Sequence, residues 1–192
     1  ELTDEELQKG INERTRLVAV AQVSNVLGCV NSIQKITEMA HRVGAVFAPV
    51  PQKFEAGTVN AAGAVGLAAA IRYLQEKGFD YIQKKELELT QRAMEGLGAL
   101  PYVHILGSKD PANHTGIVSF TIDGVHPHDV SEILSSDGID VRAGHHCAQP
   151  LLEYLGVRSS TRASMMFYNT PEEIDALIES VSTIRRRMCY GE

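Results

Sequence analysis

The sequence predicts an α/β protein whose C-terminal part is a smaller α+β unit. A strand, a loop, a helix and a second strand follow one another between residues 16 and 47, which is the order of a βαβ unit. After residue 100, short strands and helices alternate. The 192 residues are 44% hydrophobic and 22% charged, which is the composition of a globular protein. A chain of this size buries roughly 70% of its unfolded surface, so we expect a hydrophobic core.

The N-terminal part is predicted to begin with a short helix, because Thr3 and Glu6 have the spacing of a capping box. The βαβ unit follows, with a strand over residues 16–22, a loop over 23–30, a helix over 32–43 and a strand over 45–47. Ligands of such sheets gather beyond the carboxyl ends of the strands. Asn25, in the loop after the first strand, therefore lies where a ligand is expected.

The second strand of this unit is unusually short. Pro49 and Pro51 stop it after three residues, whereas a buried strand is usually longer. We therefore predict a discontinuity in the sequence near Phe47–Ala48.

A loop with Gly57 and Thr58 comes next and leads into a helix over residues 60–77. Backbone N–H groups and a hydroxyl just before a helix favour a phosphate site. The helix is rich in alanine and glycine, which predicts close packing against another backbone, and it ends at Gly78.

The rest of the chain is predicted to hold three further helices, four strands and a well-capped final helix. Thr170, Pro171 and Glu173 mark the start of that final helix. The other helices are expected over residues 80–97, 129–136 and 151–155, and the strands over 102–106, 117–122, 139–141 and 163–167.

Charge and cysteine content exclude several classes of function. The net charge of −6 argues against binding to nucleic acid or to an anionic membrane surface. The three cysteines are an odd number without a Cys-x-x-Cys pair, so neither a disulfide framework nor a zinc knuckle is indicated. Free thiols and the lack of an apolar run of about 18 residues lead us to expect a cytoplasmic protein without a membrane span.

The segment of residues 141–150 is the best candidate for chemistry, because it places Arg142, His145 and His146 beside Cys147. A thiol is nucleophilic as thiolate, and nearby cations or a helix start lower its pKa. The alternatives are a buried, inert cysteine, a zinc ligand, and a Cys-His hydrolase that uses one of the histidines elsewhere in the chain, His114, His126 or His128.

Arg162 is a second candidate, next to a predicted strand. Its planar guanidinium is suited to bind a carboxylate by two hydrogen bonds, and a surface arginine without a ligand is the alternative.

Taken together, these segments resemble the group II (Suf-type) cysteine desulfurases and selenocysteine lyases of the class V aminotransferase family. The resemblance runs in order along nearly the whole chain, and its segments are Val23-Ser24-Asn25-Val26-Leu27-Gly28, Phe54-Glu55-Ala56-Gly57-Thr58, Arg142-Ala143-Gly144-His145-His146-Cys147-Ala148, Arg162-Ala163-Ser164 and Tyr168-Asn169-Thr170-Pro171-Glu172-Glu173.

The resemblance implies a pyridoxal 5′-phosphate enzyme of fold type I that converts L-cysteine, or L-selenocysteine, to L-alanine. It implies a partial large α/β domain over residues 1–75 and a small α+β domain over residues 76–192. It further implies a homodimer, sulfur supply for iron–sulfur cluster assembly through a sulfur-acceptor protein of the Suf system, and no metal. The implied site residues are Cys147 as sulfur-receiving nucleophile, Arg162 and Asn25 as substrate contacts, Gly57 and Thr58 at the cofactor phosphate, and Arg142, His145 and His146 as supports of the cysteine loop.

One departure from the family is important. The lysine that forms the Schiff base with the cofactor, which follows a Ser-x-His motif in the family, has no counterpart in these 192 residues. The rival functions are therefore a non-catalytic dimerisation or docking module, and a class V lyase or aminotransferase without a persulfide step.

Overall fold

The computed structural model describes residues 3–190 except residues 16, 17, 19, 21, 25 and 44–59. Both predicted strands of the βαβ unit, the predicted discontinuity and the loop with Gly57 and Thr58 lie wholly or largely outside the described residues, as does Asn25. The helices are α1 (Asp4–Gly10), α2 (Ile33–Arg42), α3 (Ala61–Lys77), α4 (Phe79–Gly98), α5 (Pro127–Ser136), α6 (Gln149–Tyr154) and α7 (Pro171–Arg187). The strands are β1 (Val103–Ile105), β2 (Ile117–Ile122), β3 (Arg142–Gly144) and β4 (Ser160–Ser164).

The chain divides into two compact units. The first consists of residues 1–22 and 31–79, and the second of residues 23–30 and 80–192. The short loop of residues 23–30 is thus part of the second unit, although it precedes α2 in sequence. The assignment of the units to a large and a small domain stays a prediction.

Helices of the first unit begin where the sequence predicts. Thr3 and Glu6 form both hydrogen bonds of the capping box of α1, which confirms that prediction. Helix α3 begins after Asn60, whose side chain accepts from Gly63 N, and it ends at Gly78. None of its described residues is buried, so the packing predicted from its small side chains is not found among the described residues.

The second unit is built on an antiparallel sheet with the strand order β1-β2-β4-β3. Its core side chains come from one face of this sheet and from α4, α5 and α7. They include Val118, Phe120 and Leu134, all fully buried. Helices α4 and α7 lie so close at Gly96 that a Cβ atom there would clash with Ile178. The helices that contribute to this core thus cover one face of the sheet, and the side chains of the opposite face do not belong to the core.

Two strands lie elsewhere than predicted. β3 begins at Arg142 instead of residue 139, and β4 ends at Ser164 instead of continuing to residue 167. The apolar residues in the predicted ranges are nevertheless inside: Ile139 and Val141 pack against the core, and Met165 and Phe167 are buried. The apolar residues therefore predicted correctly which positions are buried. The limits of β3 are set by its pairing with β4, and those of β4 by its pairing with β2 and β3.

Helix α7 has both hydrogen bonds of its predicted capping box, between Thr170 and Glu173. Its last turn is tied to the end of α5 by Arg187, which contacts both carboxylate oxygens of Asp137. Asp137 also accepts from Ser180. Among the helices that the structure describes, none is long and apolar enough to cross a membrane.

Candidate functional site

Cys147 lies at the tip of a tight turn between β3 and α6. Ala148 N donates to His145 O at 2.9 Å, and the two central residues, His146 and Cys147, have φ angles of 53° and 58°. Positive φ at both central positions is the signature of a type I′ turn, for which Asn-Gly is the preferred pair. The Cys147 side chain is exposed, which excludes the alternative of a buried, inert thiol.

The two histidines before Cys147 have opposite environments. His145 is exposed, whereas His146 is only 3% exposed. His146 Nε2 lies 3.0 Å from Ser160 Oγ and 3.2 Å from Ser160 O. Because a carbonyl oxygen only accepts, the contact with Ser160 O places a proton on Nε2.

The His146 ring is held neutral by its surroundings. Burial is the main cause that lowers the pKa of His146, and the positive charges of Arg162 and Arg142 lower it further. The hydrogen bond to the Ser160 backbone acts in the opposite direction. These charges also show that both arginines lie near the turn that carries Cys147.

Arg142 and Arg162 are directly opposite each other in the pairing of β3 with β4. Residues in register on neighbouring antiparallel strands project from the same face, so the two side chains share the face opposite the core. Like charges in this arrangement repel unless an anion lies between them or near them. The pair is thus suited to hold a carboxylate, the ligand that the sequence predicts for Arg162.

The loop of residues 23–30 is attached to the same face of the sheet. Ser119, which is opposite Arg162 in the pairing of β2 with β4, donates from its hydroxyl to Val26 O. Thr115 Oγ1 donates to Gly28 O at 3.2 Å. Asn25 itself lies outside the described residues, and these contacts fix the loop that carries it.

Sequence analysis did not identify Ser119 or Ser160. Both are almost fully buried, and both project from the face that carries Arg162, since alternate residues of a strand share a face. A lone serine within an apolar strand, as in Ile117–Ile122, is the signal that could have identified Ser119, because a buried hydroxyl needs a partner.

The three other candidate histidines have their own partners away from Cys147. His114 is buried, with its ring nitrogens 3.0 Å from the carbonyl oxygens of Ile117 and Ser108. His126 and His128 stack on each other at the start of α5. Within the part of the chain that the structure describes, no three His, Cys, Asp or Glu side chains come together as a metal site.

The described residues do not fit the anchoring of pyridoxal phosphate. A lysine that forms a Schiff base is activated by desolvation or by a neighbouring cation. Of the six lysines that the structure describes, five are exposed, and Lys85 is half-buried and paired with Glu88 at 3.0 Å. The hydrogen bond to Glu88 raises the pKa of Lys85, which keeps it protonated. Lys53, Gly57 and Thr58 lie outside the described residues.

The family model of Aminotransferase class-V matches residues 1–49 and 45–177, and the chain belongs to this family. A probable cysteine desulfurase of Halalkalibacterium halodurans is 36% identical over 246 aligned residues, which cover 92% of this chain and 60% of the relative. A probable cysteine desulfurase of Staphylococcus aureus is 46% identical over 154 residues, 80% of this chain and 37% of the relative. The chain thus spans less than two thirds of the length of each of these relatives.

The solved structures that resemble this chain also include cysteine desulfurases. The apo structure of a cysteine desulfurase from Thermococcus onnurineus matches 95% of this chain and 63% of its own, with a TM-score of 0.83 and 28% identity. A cysteine desulfurase of Escherichia coli, solved with an S-sulfonic acid, matches 95% of this chain and 62% of its own, with a TM-score of 0.82 and 25% identity. The predicted fold class and the predicted cysteine desulfurase resemblance are therefore confirmed.

Proposed function

We propose that this chain is part of a pyridoxal-phosphate-dependent cysteine desulfurase of the Suf type, which converts L-cysteine to L-alanine and leaves a persulfide on Cys147. The observation that carries the proposal is the exposed Cys147 turn, with an arginine pair on the two strands beside it. Sulfur supply for iron–sulfur cluster assembly is the role that follows from such a product.

The overall reaction balances without an added oxidant. The carbon–sulfur bond of L-cysteine breaks, and the substrate sulfur, with its own hydrogen, forms a sulfur–sulfur bond with Cys147 Sγ. The proton that the Cys147 thiol gives up balances the hydrogen that the substrate carbon gains in L-alanine. An exposed thiol suits the acceptor because the persulfide must afterwards reach a second protein. Arg162, assisted by Arg142 on the neighbouring strand, binds the substrate carboxylate by charge-assisted hydrogen bonds.

Asn25 is proposed as a further substrate contact, since Ser119 and Thr115 fix its loop on the face that carries Arg162. Gly57 and Thr58 are proposed at the cofactor phosphate. His145 and His146 are proposed to support the cysteine turn. His145 does so from its exposed side and His146 from its buried side.

The cofactor amine is proposed to belong to sequence outside these 192 residues. The alignment with the H. halodurans relative runs over 246 positions, more than the chain contains, and the two matches of the family model meet at residues 45–49. Both observations support a missing internal segment near Phe47–Ala48. The first unit is proposed to belong to the large domain and the second to the small domain, as the resemblance implies.

For the whole protein we propose a cytoplasmic homodimer that delivers sulfur to an acceptor protein. The free cysteines among the described residues support a reducing compartment. A docking or dimerisation module without turnover is the second candidate, and the exposed lysines of the described residues favour it for the isolated 192-residue chain. A class V lyase without a persulfide step is less consistent with an exposed cysteine that follows two histidines and lies in a turn next to an arginine pair.

The test follows the sulfur atom. The purified protein, whose intact mass is measured first, is given pyridoxal phosphate and L-cysteine, alkylated without reductant, digested and analysed by mass spectrometry. We expect L-alanine and one added sulfur on the peptide that contains Cys147, and neither in the Cys147→Ala variant under single-turnover conditions. The Cys189→Ala variant, which removes another exposed cysteine, should react as the parent does. L-alanine without sulfur on Cys147 would support the lyase, and no product at all would support the docking module.

A further inference from the structure

We propose that His146 is a positioning residue for Cys147: its buried ring, bound to Ser160 of β4, holds the 145–148 turn in the conformation that presents the thiol. The inference rests on the proposed function in one respect, namely that Cys147 is the sulfur-receiving residue. The anchoring itself concerns only residues of this chain.

The turn needs such an anchor because its backbone is unfavourable for its sequence. His146 and Cys147 both have positive φ, where a residue with a Cβ atom is disfavoured. A turn with two such positions usually contains Asn-Gly. Strained backbone of this kind persists only where the surrounding contacts hold it in place.

The contacts of the turn point to one side chain. Cys147 is exposed and His145 is exposed, so neither packs into the protein. His146 is the residue of the turn that is buried, and its Nε2 reaches both the hydroxyl and the carbonyl of Ser160, at 3.0 and 3.2 Å. The buried side of the turn is thus attached to β4, the strand that carries Arg162. The two residues of this contact, His146 and Ser160, are 14 residues apart in sequence.

This attachment links the nucleophile to the substrate contact. Ser160 and Arg162 are alternate residues of β4 and project from the same face. Binding of His146 to Ser160 therefore sets the position of the Cys147 turn relative to Arg162 through one strand. A reacting sulfur displaced by a fraction of an ångström loses rate even when the substrate still binds.

The experiment compares four proteins: the parent, His146→Gln, His146→Leu and His146→Ala. Glutamine keeps an N–H donor near the position of Nε2, leucine keeps apolar volume without a donor, and alanine keeps neither. Amide hydrogen exchange of Ala148, whose N–H closes the turn, reports opening without substrate or cofactor. We expect about tenfold faster exchange in the leucine and alanine variants, the effect of one lost hydrogen bond, and rescue to within about twofold by glutamine.

Exchange in His146→Leu equal to that of the parent would overturn the proposal, because burial alone would then hold the turn. If His146→Ala fails to fold, the comparison of His146→Leu with His146→Gln decides the anchoring without it, since both keep most of the buried side-chain volume. In the sulfur-transfer assay we expect a lower kcat at unchanged KM for His146→Leu, and an unchanged kcat would overturn the positioning role. If the parent puts no sulfur on Cys147, the proposed function fails, while the exchange series still decides the anchoring.

Discussion

Replacing Cys147 by glycine should stabilise the protein while abolishing sulfur transfer, and replacing it by alanine should abolish transfer at nearly unchanged stability. The difference arises from the backbone, because Cys147 has a φ of 58° that alanine keeps as strain and glycine relieves. Its side chain is exposed, so truncation to either residue leaves no cavity.

The expected size follows from two opposing effects. A residue with a Cβ atom in the left-handed region costs roughly 1–2 kcal/mol. Glycine loses about 0.5–1 kcal/mol more conformational freedom on folding than alanine does. The glycine variant should therefore be about 0.5–1 kcal/mol more stable than the alanine variant. In a chain of this size, that corresponds to a Tm that is higher by roughly 1–4 °C.

The assay is equilibrium unfolding in urea, with reductant present, of both variants and of two matched pairs. Cys189 is also exposed and has a φ of 60°, so Cys189→Gly should likewise exceed Cys189→Ala. Glu179 is exposed within α7, where glycine should instead be about 1 kcal/mol less stable than alanine. A Cys147→Gly variant no more stable than Cys147→Ala, with the Glu179 pair behaving normally, would refute the argument that this turn is strained.

Three further predictions concern the sheet face and the end of α7. Arg162→Ala should weaken L-cysteine binding by roughly 2–4 kcal/mol through loss of a charge-assisted pair, seen as a raised KM, and an unchanged KM would remove it from the site. Ser119→Ala should cost about 1–3 kcal/mol in urea unfolding because it leaves the buried Val26 carbonyl without its donor, and a loss below about 0.5 kcal/mol would contradict this. Arg187, followed by Ser180, holds the pKa of Asp137 well below its ordinary value, so the stability this carboxylate contributes is present above about pH 4 and is lost as the pH falls further. The Tm of Asp137→Asn should therefore fall less steeply below pH 4 than that of the parent, and equal slopes would contradict the assignment.

Elements whose limits are fixed by their own residues were predicted well from the sequence. The capping boxes at Thr3 and Thr170 mark helix starts by local hydrogen bonds, and both are found. Strand limits depend on the partner strand, which local sequence does not reveal. For this reason the predicted ranges of β3 and β4 were displaced by three residues, although the apolar residues around these strands were correctly expected to be buried.

The candidate residues of the site could be proposed from their types alone, whereas the geometry of the cysteine turn could not. A cysteine among histidines and an arginine is visible in the sequence, and so is the resemblance that names Arg162. The positive φ angles of His146 and Cys147 contradict the residue preferences of their turn. The cause that we propose for them is the contact of His146 with Ser160, which local sequence does not reveal.

The two buried serines explain how one sheet face serves as the base of the site. Ser119 holds the loop of residues 23–30 over β2, and Ser160 holds the cysteine turn over β4. Arg162 lies between these two attachments, opposite Ser119 and two residues from Ser160, so loops distant in sequence meet around the proposed carboxylate contact. The second unit thus carries the proposed substrate contact and the proposed sulfur acceptor in one folded body, and the cofactor amine is the part of the proposed reaction that we assign to sequence outside it.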